Sequence, residues 1–300
     1  MDDPVVAALT ALVPTGVHRG ETDRGGRVLR WVEAGAGGPP IVLVAGRGDA
    51  VIGWATVFPA LAAVSRVRAY DRAGLGASDP DPATSLRTQV DDLAAILADL
   101  PPTVLVGHSW GGLLAQLAAF ANPGRVAGMV LIDPSHEDQV SAVPWPLRML
   151  DDAIGVAAVA MQSLGASDRI ARRMGQRQAD RCTDDPGVRT LIMAAYVASY
   201  SSRRHARTMR AEARLVGQSA ALVRDARIAS DLPDLPLVVL SATSGLPPGA
   251  RARFTALQIA IAVSTRRGRH LVVDGAGHYI HHDQPGLVVD AIRSVVAEAR

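Results

Sequence analysis

A serine framed by glycines is the residue best placed to do covalent chemistry in this chain. Ser109 lies in the pentapeptide G-H-S-W-G, residues 107–111, which follows the apolar segment 103–106 and precedes the helix-like segment 112–120. A turn this sharp strains the serine backbone, and larger residues two positions before and after would collide. The hydroxyl then points up from the strand end, beside the N terminus of a helix. The pattern predicts a nucleophile.

The base that such a serine requires is predicted to be His278. A serine hydroxyl is a poor nucleophile at neutral pH and needs a proton acceptor within hydrogen-bond reach. His278 follows the apolar segment 271–273 and lies in a glycine-flanked turn. It should therefore emerge at the same edge of a sheet as Ser109.

Four other histidines are weaker candidates for the base. His281 and His282 lie three and four residues further on, just before the final helix, and we expect surface or lid-facing positions for them. His270 precedes the strand and belongs to its opposite end. His108 flanks the serine inside the turn, and we expect it to point away and to act in packing.

The elements that must position these groups alternate along the chain. Short β-type segments alternate with longer helical ones, a pattern typical of a mostly parallel sheet covered by helices on both faces. The predicted strands are 28–33, 41–45, 67–70, 103–106, 126–132, 237–241 and 270–273. Helical periodicity predicts helices over 85–100, 251–263 and 285–299.

One long stretch breaks this alternation. Residues 135–232 show helical periodicity and no convincing strand. Inserted after the predicted strand 126–132, they would form a lid over the carboxyl ends of the sheet, where open α/β folds bind ligands. We therefore divide the chain into a core, residues 1–134 and 233–300, and a helical cap, residues 135–232. Trp145, between two prolines, is a candidate substrate-pocket residue of this cap.

Four segments carry a resemblance to a known superfamily. They are V-L-V-A-G at 42–46, Y-D-R-A-G-L-G-A-S at 70–78, the serine pentapeptide, and G-A-G-H at 275–278. In this order and spacing they resemble the α/β-hydrolase superfamily, from about residue 25 to the C terminus. The resemblance implies an α/β-hydrolase fold: a mostly parallel eight-stranded sheet, helices on both faces, and a helical cap inserted after strand 6. In the strand numbering of that fold, segment 41–45 corresponds to the third strand, 126–132 to the sixth and 237–241 to the seventh.

The acid of a catalytic triad departs from the commonest pattern of that superfamily. The turn after the seventh strand, residues 242–248, contains no Asp or Glu. A minority of members take the acid from the end of the sixth strand, where this chain has Asp133, 24 residues after the serine. We expect Asp133 to hold the histidine ring by the nitrogen that faces away from the serine. Glu137 and Asp138 are the substitutes, and a helix-capping role is the alternative for Asp133.

An oxyanion hole needs two N–H donors aimed at one point. Trp110 directly follows the serine and should supply the first. The loop after the third strand, A-G-R-G at 45–48, should supply the second. By position we choose the N–H of Arg47, with Gly46 or Gly48 as alternatives. Gly46 and Tyr279, next to the predicted base, are also candidate substrate-pocket residues.

The composition of the chain fits a soluble enzyme. The 300 residues, 48% of them apolar, suffice for one large α/β core. Residues 168–214 hold eleven arginines and five acids, but no nucleic-acid-binding motif, so we expect a solvated face and no nucleic-acid partner. The single cysteine excludes an intramolecular disulfide and a thiolate metal cluster. No apolar stretch approaches the roughly 20 residues of a membrane span.

These features together predict a soluble serine hydrolase that works by two-step acyl transfer. The N terminus, M-D-D-P, lacks the basic region of a signal peptide, so we expect a cytoplasmic protein. We expect neither a cofactor nor a metal ion, and the sequence carries no indication of an oligomeric state.

Ester is the default substrate of the predicted enzyme. The same triad also serves enzymes that hydrolyse lactones, thioesters, amides or carbon–carbon bonds, and cofactor-free haloperoxidases. The fold does not distinguish these activities. Related epoxide hydrolases and haloalkane dehalogenases use an aspartate at the position of Ser109, which argues against both. A ligand-binding receptor without turnover is the alternative from another functional class.

Overall fold

An eight-stranded sheet forms the centre of the computed structural model, which describes residues 3–139, 167–218 and 220–299. The strands are β1 His18–Asp23, β2 Val28–Ala34, β3 Ile41–Val44, β4 Val67–Tyr70, β5 Thr103–His108, β6 Val126–Ile132, β7 Leu237–Ala242 and β8 Gly268–Val273. Their order is β1-β2-β4-β3-β5-β6-β7-β8. β2 pairs antiparallel with β1 and β4, and the other pairs are parallel. The predicted α/β-hydrolase fold class is confirmed.

Helices cover both faces of this sheet. Those before β6 are α1 Pro4–Leu12, α2 Phe58–Ala62, α3 Leu86–Leu97 and α4 Trp110–Ala121. Those described between β6 and β7 are α5 Ser167–Cys182, α6 Pro186–Tyr200, α7 Arg203–Gln218 and α8 Ala220–Ala229. After β7 come α9 Pro248–Ala262, α10 Ile280–Asp283 and α11 Pro285–Glu298. No helix in the described part of the chain has the length and apolar character to cross a membrane.

The pleat of the strands divides the core into two apolar layers. Along β5, Val104 and Val106 belong to one buried cluster and Leu105 to the other. Because successive side chains of a strand point to opposite faces, a parallel strand covered on both sides is apolar throughout. The first cluster includes Ile292 of α11, and the second includes Leu114 of α4. Both layers hold the carboxyl ends of the parallel strands in a fixed arrangement.

All seven predicted strands are present, two of them with the predicted bounds, 67–70 and 126–132. An eighth strand, β1 at His18–Asp23, was not predicted, and its side chains are mostly exposed. It is an edge strand of polar residues, so it carries no apolar alternation to detect. Within the predicted cap, residues 135–232, the described part from 167 to 229 is mainly helical, and Trp145 lies outside the described residues.

The turn between β5 and α4 packs backbone against backbone. A Cβ atom on Gly107 would lie 2.6 Å from the carbonyl oxygen of Gly111. A Cβ atom on Gly111 would overlap the carbonyl oxygen of Val44 on the neighbouring strand. Neither backbone can yield, because both belong to hydrogen-bonded elements. The first helical turn of α4 therefore rests directly on β3.

Replacing Gly111 by alanine should lower the free energy of unfolding by about 3 kcal/mol, because the added methyl group overpacks a rigid backbone contact. Urea denaturation followed by circular dichroism measures the loss. Gly124→Ala is the matched control, since a Cβ atom there meets no atom within 4 Å. Equal stabilities of the two variants would contradict the close packing.

Candidate active site

The backbone of Ser109 is held in a strained conformation. Its φ is 51° and its ψ is −116°. Ser109 and Asp133, with a φ of 41°, are the only non-glycine residues with positive φ in the described part of the chain. Such a conformation costs on the order of 1–3 kcal/mol and persists only where the surroundings enforce it. Backbone strain of this kind concentrates at functional sites, so both Ser109 and Asp133 are candidate functional residues.

Two backbone hydrogen bonds join the ends of β5 and β6. The N–H of Ser109 donates to the carbonyl of Ile132, and the N–H of Ser135 donates to the carbonyl of Ser109, both at 3.0 Å. In the chain, Asp133 lies between Ile132 and Ser135, the two partners of Ser109 in these hydrogen bonds. The predicted nucleophile and the predicted acid therefore occupy adjacent strand ends.

The structure places His278 directly on Asp133. Nδ1 of the imidazole lies 2.7 Å from Oδ2 of the carboxylate. The Asp133 side chain is fully buried, whereas the His278 side chain is 42% exposed. The other oxygen, Oδ1, accepts hydrogen bonds from Arg251 Nη1 and Gln258 Nε2, each at 3.0 Å, and from the Ala242 N–H at 3.2 Å. Every contact of the carboxylate is thus with a donor.

The electrostatic surroundings keep Asp133 ionised. Burial by itself would raise the pKa of this carboxyl group, but the hydrogen bond from His278 and the positive charge of Arg251 outweigh it. The pKa falls to about 2. Because an ionised carboxylate only accepts hydrogen bonds, Nδ1 of His278 must carry a proton. In the neutral ring, Nε2 is then left with its lone pair and can act as a base.

The alternative acids lie on other partners. Glu137 accepts a hydrogen bond from Arg227 at 2.6 Å, and Asp138 accepts one from Arg224 at 3.2 Å. Both arginines belong to α8. The described contacts thus bring Asp133 to His278 and leave the two alternatives at the base of the inserted helices.

Sequence reasoning missed the two side chains that support Asp133. Arg251 and Gln258 lie seven residues apart on α9, two helical turns, and therefore share one face of the helix. Both are buried. A polar pair at this spacing on the face turned to the core was the available signal. The turn after β7 lacks an acid but contacts the loop that carries His278. The Thr243 hydroxyl accepts a hydrogen bond from the Gly275 N–H at 2.9 Å.

Of the two positions expected for His281, surface or lid-facing, the surface position is wrong because the ring is buried. His281 is 3% exposed and packs on Trp54, with 4.6 Å between ring centroids. Burial lowers the pKa of His281 well below the usual value. Nε2 of His282 lies 2.9 Å from the Gly53 carbonyl, and burial lowers its pKa to about 4. Neutral rings therefore pack behind the candidate base.

His108 supports the loop that carries the candidate base. Its Nε2 lies 3.0 Å from the backbone oxygen of His278, and the two ring centroids are 4.7 Å apart. Nδ1 of His108 lies 3.5 Å from Oδ2 of Asp49, and the Tyr279 hydroxyl donates to Oδ1 of Asp49 at 3.3 Å. A Cβ atom on Gly46 would lie 2.6 Å from His108 Nδ1. The loop after β3 therefore needs glycine at this point.

The carbonyl groups of the loop after β3 are turned toward Arg72. Its guanidinium donates to the Ala45 carbonyl at 2.5 Å and to the Gly46 carbonyl at 2.6 Å. In a planar trans peptide the N–H points opposite to the C=O. The N–H groups of Gly46 and Arg47, which share those two peptide units, therefore point away from Arg72.

The two remaining positions of the predicted oxyanion hole differ in their contacts. The Gly48 N–H donates to a carboxylate oxygen of Glu212 at 2.7 Å, so this alternative donor is already engaged. Trp110 is the first residue of α4, where backbone N–H groups have no partner within the helix. Its indole donates to Gln89 at 2.7 Å, which fixes the side chain in the core.

A cavity of about 320 Å³ opens beside His278. The predicted pocket residues Gly46 and Tyr279 line it. Its apolar wall comes from the core and from α5 and α6, with Trp54, Met174, Tyr196 and Tyr200. Within residues 3–139, 167–218 and 220–299, no group of three His, Cys, Asp or Glu side chains could hold a metal ion.

The fold and this arrangement agree with a comparison to known families. The model of the alpha/beta hydrolase family matches residues 41–291 of this chain, so the chain belongs to that family. The family and the hydrolases among the relatives show that this protein is a hydrolase.

Individual relatives match to different extents. The pimeloyl-[acyl-carrier protein] methyl ester esterase of Edwardsiella ictaluri is 27% identical over 86% of this chain and 93% of its own length. The acetyltransferase component of an acetoin-cleaving system of Pseudomonas putida is 43% identical, but the match covers only 36% of this chain and 30% of that protein. The haloalkane dehalogenase DbeA of Bradyrhizobium elkani aligns with a TM-score of 0.73 over 94% and 98% of the two chains. Its 19% identity shows a shared fold alone.

Asp133 should contribute to stability in a pH-dependent way. Its folded-state pKa of about 2 lies below the ordinary 3.8, so its contribution is present above about pH 4 and is lost as the pH falls toward 2. The contribution is on the order of 2 kcal/mol. Urea unfolding at about pH 5 and about pH 2 should show the gap between wild type and Asp133→Asn shrinking by that amount. Gly124→Ala, which changes a residue without an ionisable group, should show the same gap at both pH values. A constant gap for Asp133→Asn would refute the ionised, stabilised carboxylate.

Proposed function

We propose that this protein is a serine hydrolase that cleaves a carboxylic ester or a related acyl substrate through an acyl-enzyme on Ser109. The observation that carries the proposal is the 2.7 Å contact between His278 Nδ1 and the buried Asp133 carboxylate. It occurs next to a serine whose backbone is strained at a strand-to-helix turn. Ser109, His278 and Asp133 are the nucleophile, the base and the acid of the proposed catalytic triad for acyl transfer.

Proton transfer follows from the hydrogen bonds of the proposed triad. Asp133 holds the proton of His278 on Nδ1, so Nε2 accepts the proton of the Ser109 hydroxyl. The serine oxygen bonds to the substrate carbonyl carbon, and the carbonyl electron pair moves onto its oxygen. When the tetrahedral intermediate collapses, the imidazolium protonates the leaving alcohol. Water then repeats the sequence on the acyl-enzyme and releases the carboxylic acid.

The oxyanion of that intermediate is assigned to the N–H groups of Trp110 and Arg47. Trp110 stands at the start of α4, where the helix dipole also favours negative charge. The Arg47 N–H belongs to a peptide whose carbonyl is held by Arg72 on the opposite side. The Gly46 N–H shares this orientation and is the alternative second donor.

The cavity beside His278 is assigned to the acyl group. Its wall combines Trp54 of the core with Met174 of α5 and Tyr196 of α6, so apolar groups are favoured there. Because the inserted helices supply part of this wall, we assign residues 135–232 to a cap that selects a small-molecule substrate. Residues 1–134 and 233–300 then form the catalytic core. The ester named for the Edwardsiella relative supports an ester substrate.

A fluorophosphonate probe should label the wild-type protein and leave Ser109→Ala unlabelled, because an activated serine oxygen bonds to the probe's phosphorus and displaces fluoride, which gives a phosphonylated serine. In-gel fluorescence and intact mass measure the adduct. Ser135→Ala, a neighbouring serine outside the proposed triad, should label like the wild type. A wild-type protein that is folded and unlabelled would refute the serine-hydrolase proposal.

Asp133→Asn should reduce kcat for a p-nitrophenyl ester by about 10³- to 10⁴-fold, because the amide favours the wrong imidazole tautomer. Glu137→Gln is the matched control and should retain activity, since its carboxylate pairs with Arg227. Circular dichroism verifies that both variants fold. The reverse result, with the larger loss in Glu137→Gln, would assign the acid to Glu137.

A further inference from the structure

A second buried carboxylate lies outside the proposed triad. Glu212 of α7 is 0% exposed. Its Oε1 accepts from Arg72 Nε at 2.7 Å and from Gln89 Nε2 at 2.9 Å. Its Oε2 accepts from Arg72 Nη2 at 2.9 Å and from the Gly48 N–H at 2.7 Å. A carboxylate with four donors is a rigid anchor, because every direction of its lone pairs is occupied.

The helix that carries Glu212 is pressed onto the loops around Ser109. Arg204, Thr208 and Glu212 lie four residues apart and share one face of α7. Arg204 donates to the Gly76 carbonyl at 2.6 Å. Met209, on the neighbouring row of the helix, lies so close to Gly48 that a Cβ atom there would be 2.6 Å from its Cγ. The inserted helix thus packs closely on the loop after β3.

One branch of this network reaches the residue after the nucleophile. The Gln89 side chain donates from Nε2 to Glu212 and accepts through Oε1 from the Trp110 indole at 2.7 Å. An indole N–H can only donate and a carboxylate can only accept, so the amide has a single workable orientation. Glu212 therefore fixes Gln89, and Gln89 fixes Trp110.

The other branch reaches the loop after β3. Two hydrogen bonds to Glu212 orient the side chain of Arg72, which is 2% exposed. Arg72 donates two further hydrogen bonds to the Ala45 and Gly46 carbonyls. Glu212 also holds the Gly48 N–H directly. The peptide between Gly46 and Arg47 is therefore constrained on both sides, and the direction of its N–H follows from these contacts.

We propose that Glu212 is a positioning residue that sets both N–H donors of the oxyanion hole, the Arg47 side through Arg72 and Gly48 and the Trp110 side through Gln89. The inference rests on the serine-hydrolase function proposed above. It makes transition-state stabilisation in the core depend on a carboxylate supplied by an inserted helix. Glu212 itself touches neither the substrate nor the serine.

Glu212→Gln should lower kcat for a p-nitrophenyl ester by about 10- to 100-fold, because a misdirected donor weakens stabilisation of the developing oxyanion. KM should stay within about threefold, since the ground-state carbonyl gains little from the same donors. Glu33→Gln is the matched control, because Glu33 also pairs with a buried arginine, Arg68, at 2.9 Å. Arg68 lies at the start of β4, and this pair is therefore at the opposite edge of the sheet from the site. The control should keep both constants.

A second variant covers the case in which Glu212→Gln does not fold. Gln89→Leu removes both hydrogen bonds of the Gln89 side chain, to Glu212 and from Trp110, and leaves the contacts of Arg72 and Gly48 with Glu212 in place. It should lower kcat in the same direction with unchanged KM. The proposal is overturned if the folded Glu212→Gln variant keeps kcat within about threefold of Glu33→Gln, or if it raises KM alone. If only Gln89→Leu folds, an unchanged kcat for that variant overturns it.

Nuclear magnetic resonance separates this inference from the proposed function. In the ¹⁵N–¹H spectrum, the Gly48 amide and the Trp110 indole signals of the wild type should both shift in Glu212→Gln and stay in place in Glu33→Gln. Unchanged signals overturn the positioning role whatever the activity. A folded wild-type protein that is not labelled by the fluorophosphonate overturns the proposed serine-hydrolase function instead, and the spectra still decide whether Glu212 holds the two groups.

Discussion

A carboxylate that is ionised inside the protein, Asp133, is the constraint on which the site depends. A buried charge is tolerated only when its lone pairs are matched by donors. Asp133 meets this need with His278, Arg251, Gln258 and the backbone of Ala242. These partners come from β7, α9 and the loop after β8. Satisfying one charge therefore holds together the separate segments from which the site is built.

Parallel strands make this convergence available. β5, β6, β7 and β8 are successive neighbours in the sheet and run in the same direction, so the segments that follow them meet at one edge. Ser109 and Asp133 follow the first two, and His278 follows the last. The positive φ values of Ser109 and Asp133 bring both side chains out of the regular strand path. A second buried carboxylate, Glu212, repeats the principle on the other side of the serine, where it joins an inserted helix to the core.

Much of this arrangement could be predicted from the sequence because it depends on local patterns of residues. Fully apolar segments mark the buried parallel strands, and G-H-S-W-G marks the turn at Ser109. β1 escaped notice because a polar edge strand has no apolar period. The burial of His281 was missed because a histidine near a helix start gives no sign of what packs against it. Arg251, Gln258 and Glu212 were missed because each partner lies more than 100 residues away in the chain.

The sequence by itself determined the fold class, the family and a short set of candidate residues, since these follow from periodicity and from motifs a few residues long. Only the tertiary structure decided which acid lies against His278, which loop N–H groups are already engaged, and how an inserted helix reaches the loop after β3. Such choices depend on distances between groups that are remote in the chain. Their physical basis is that each buried charge and each buried donor must find a partner in space.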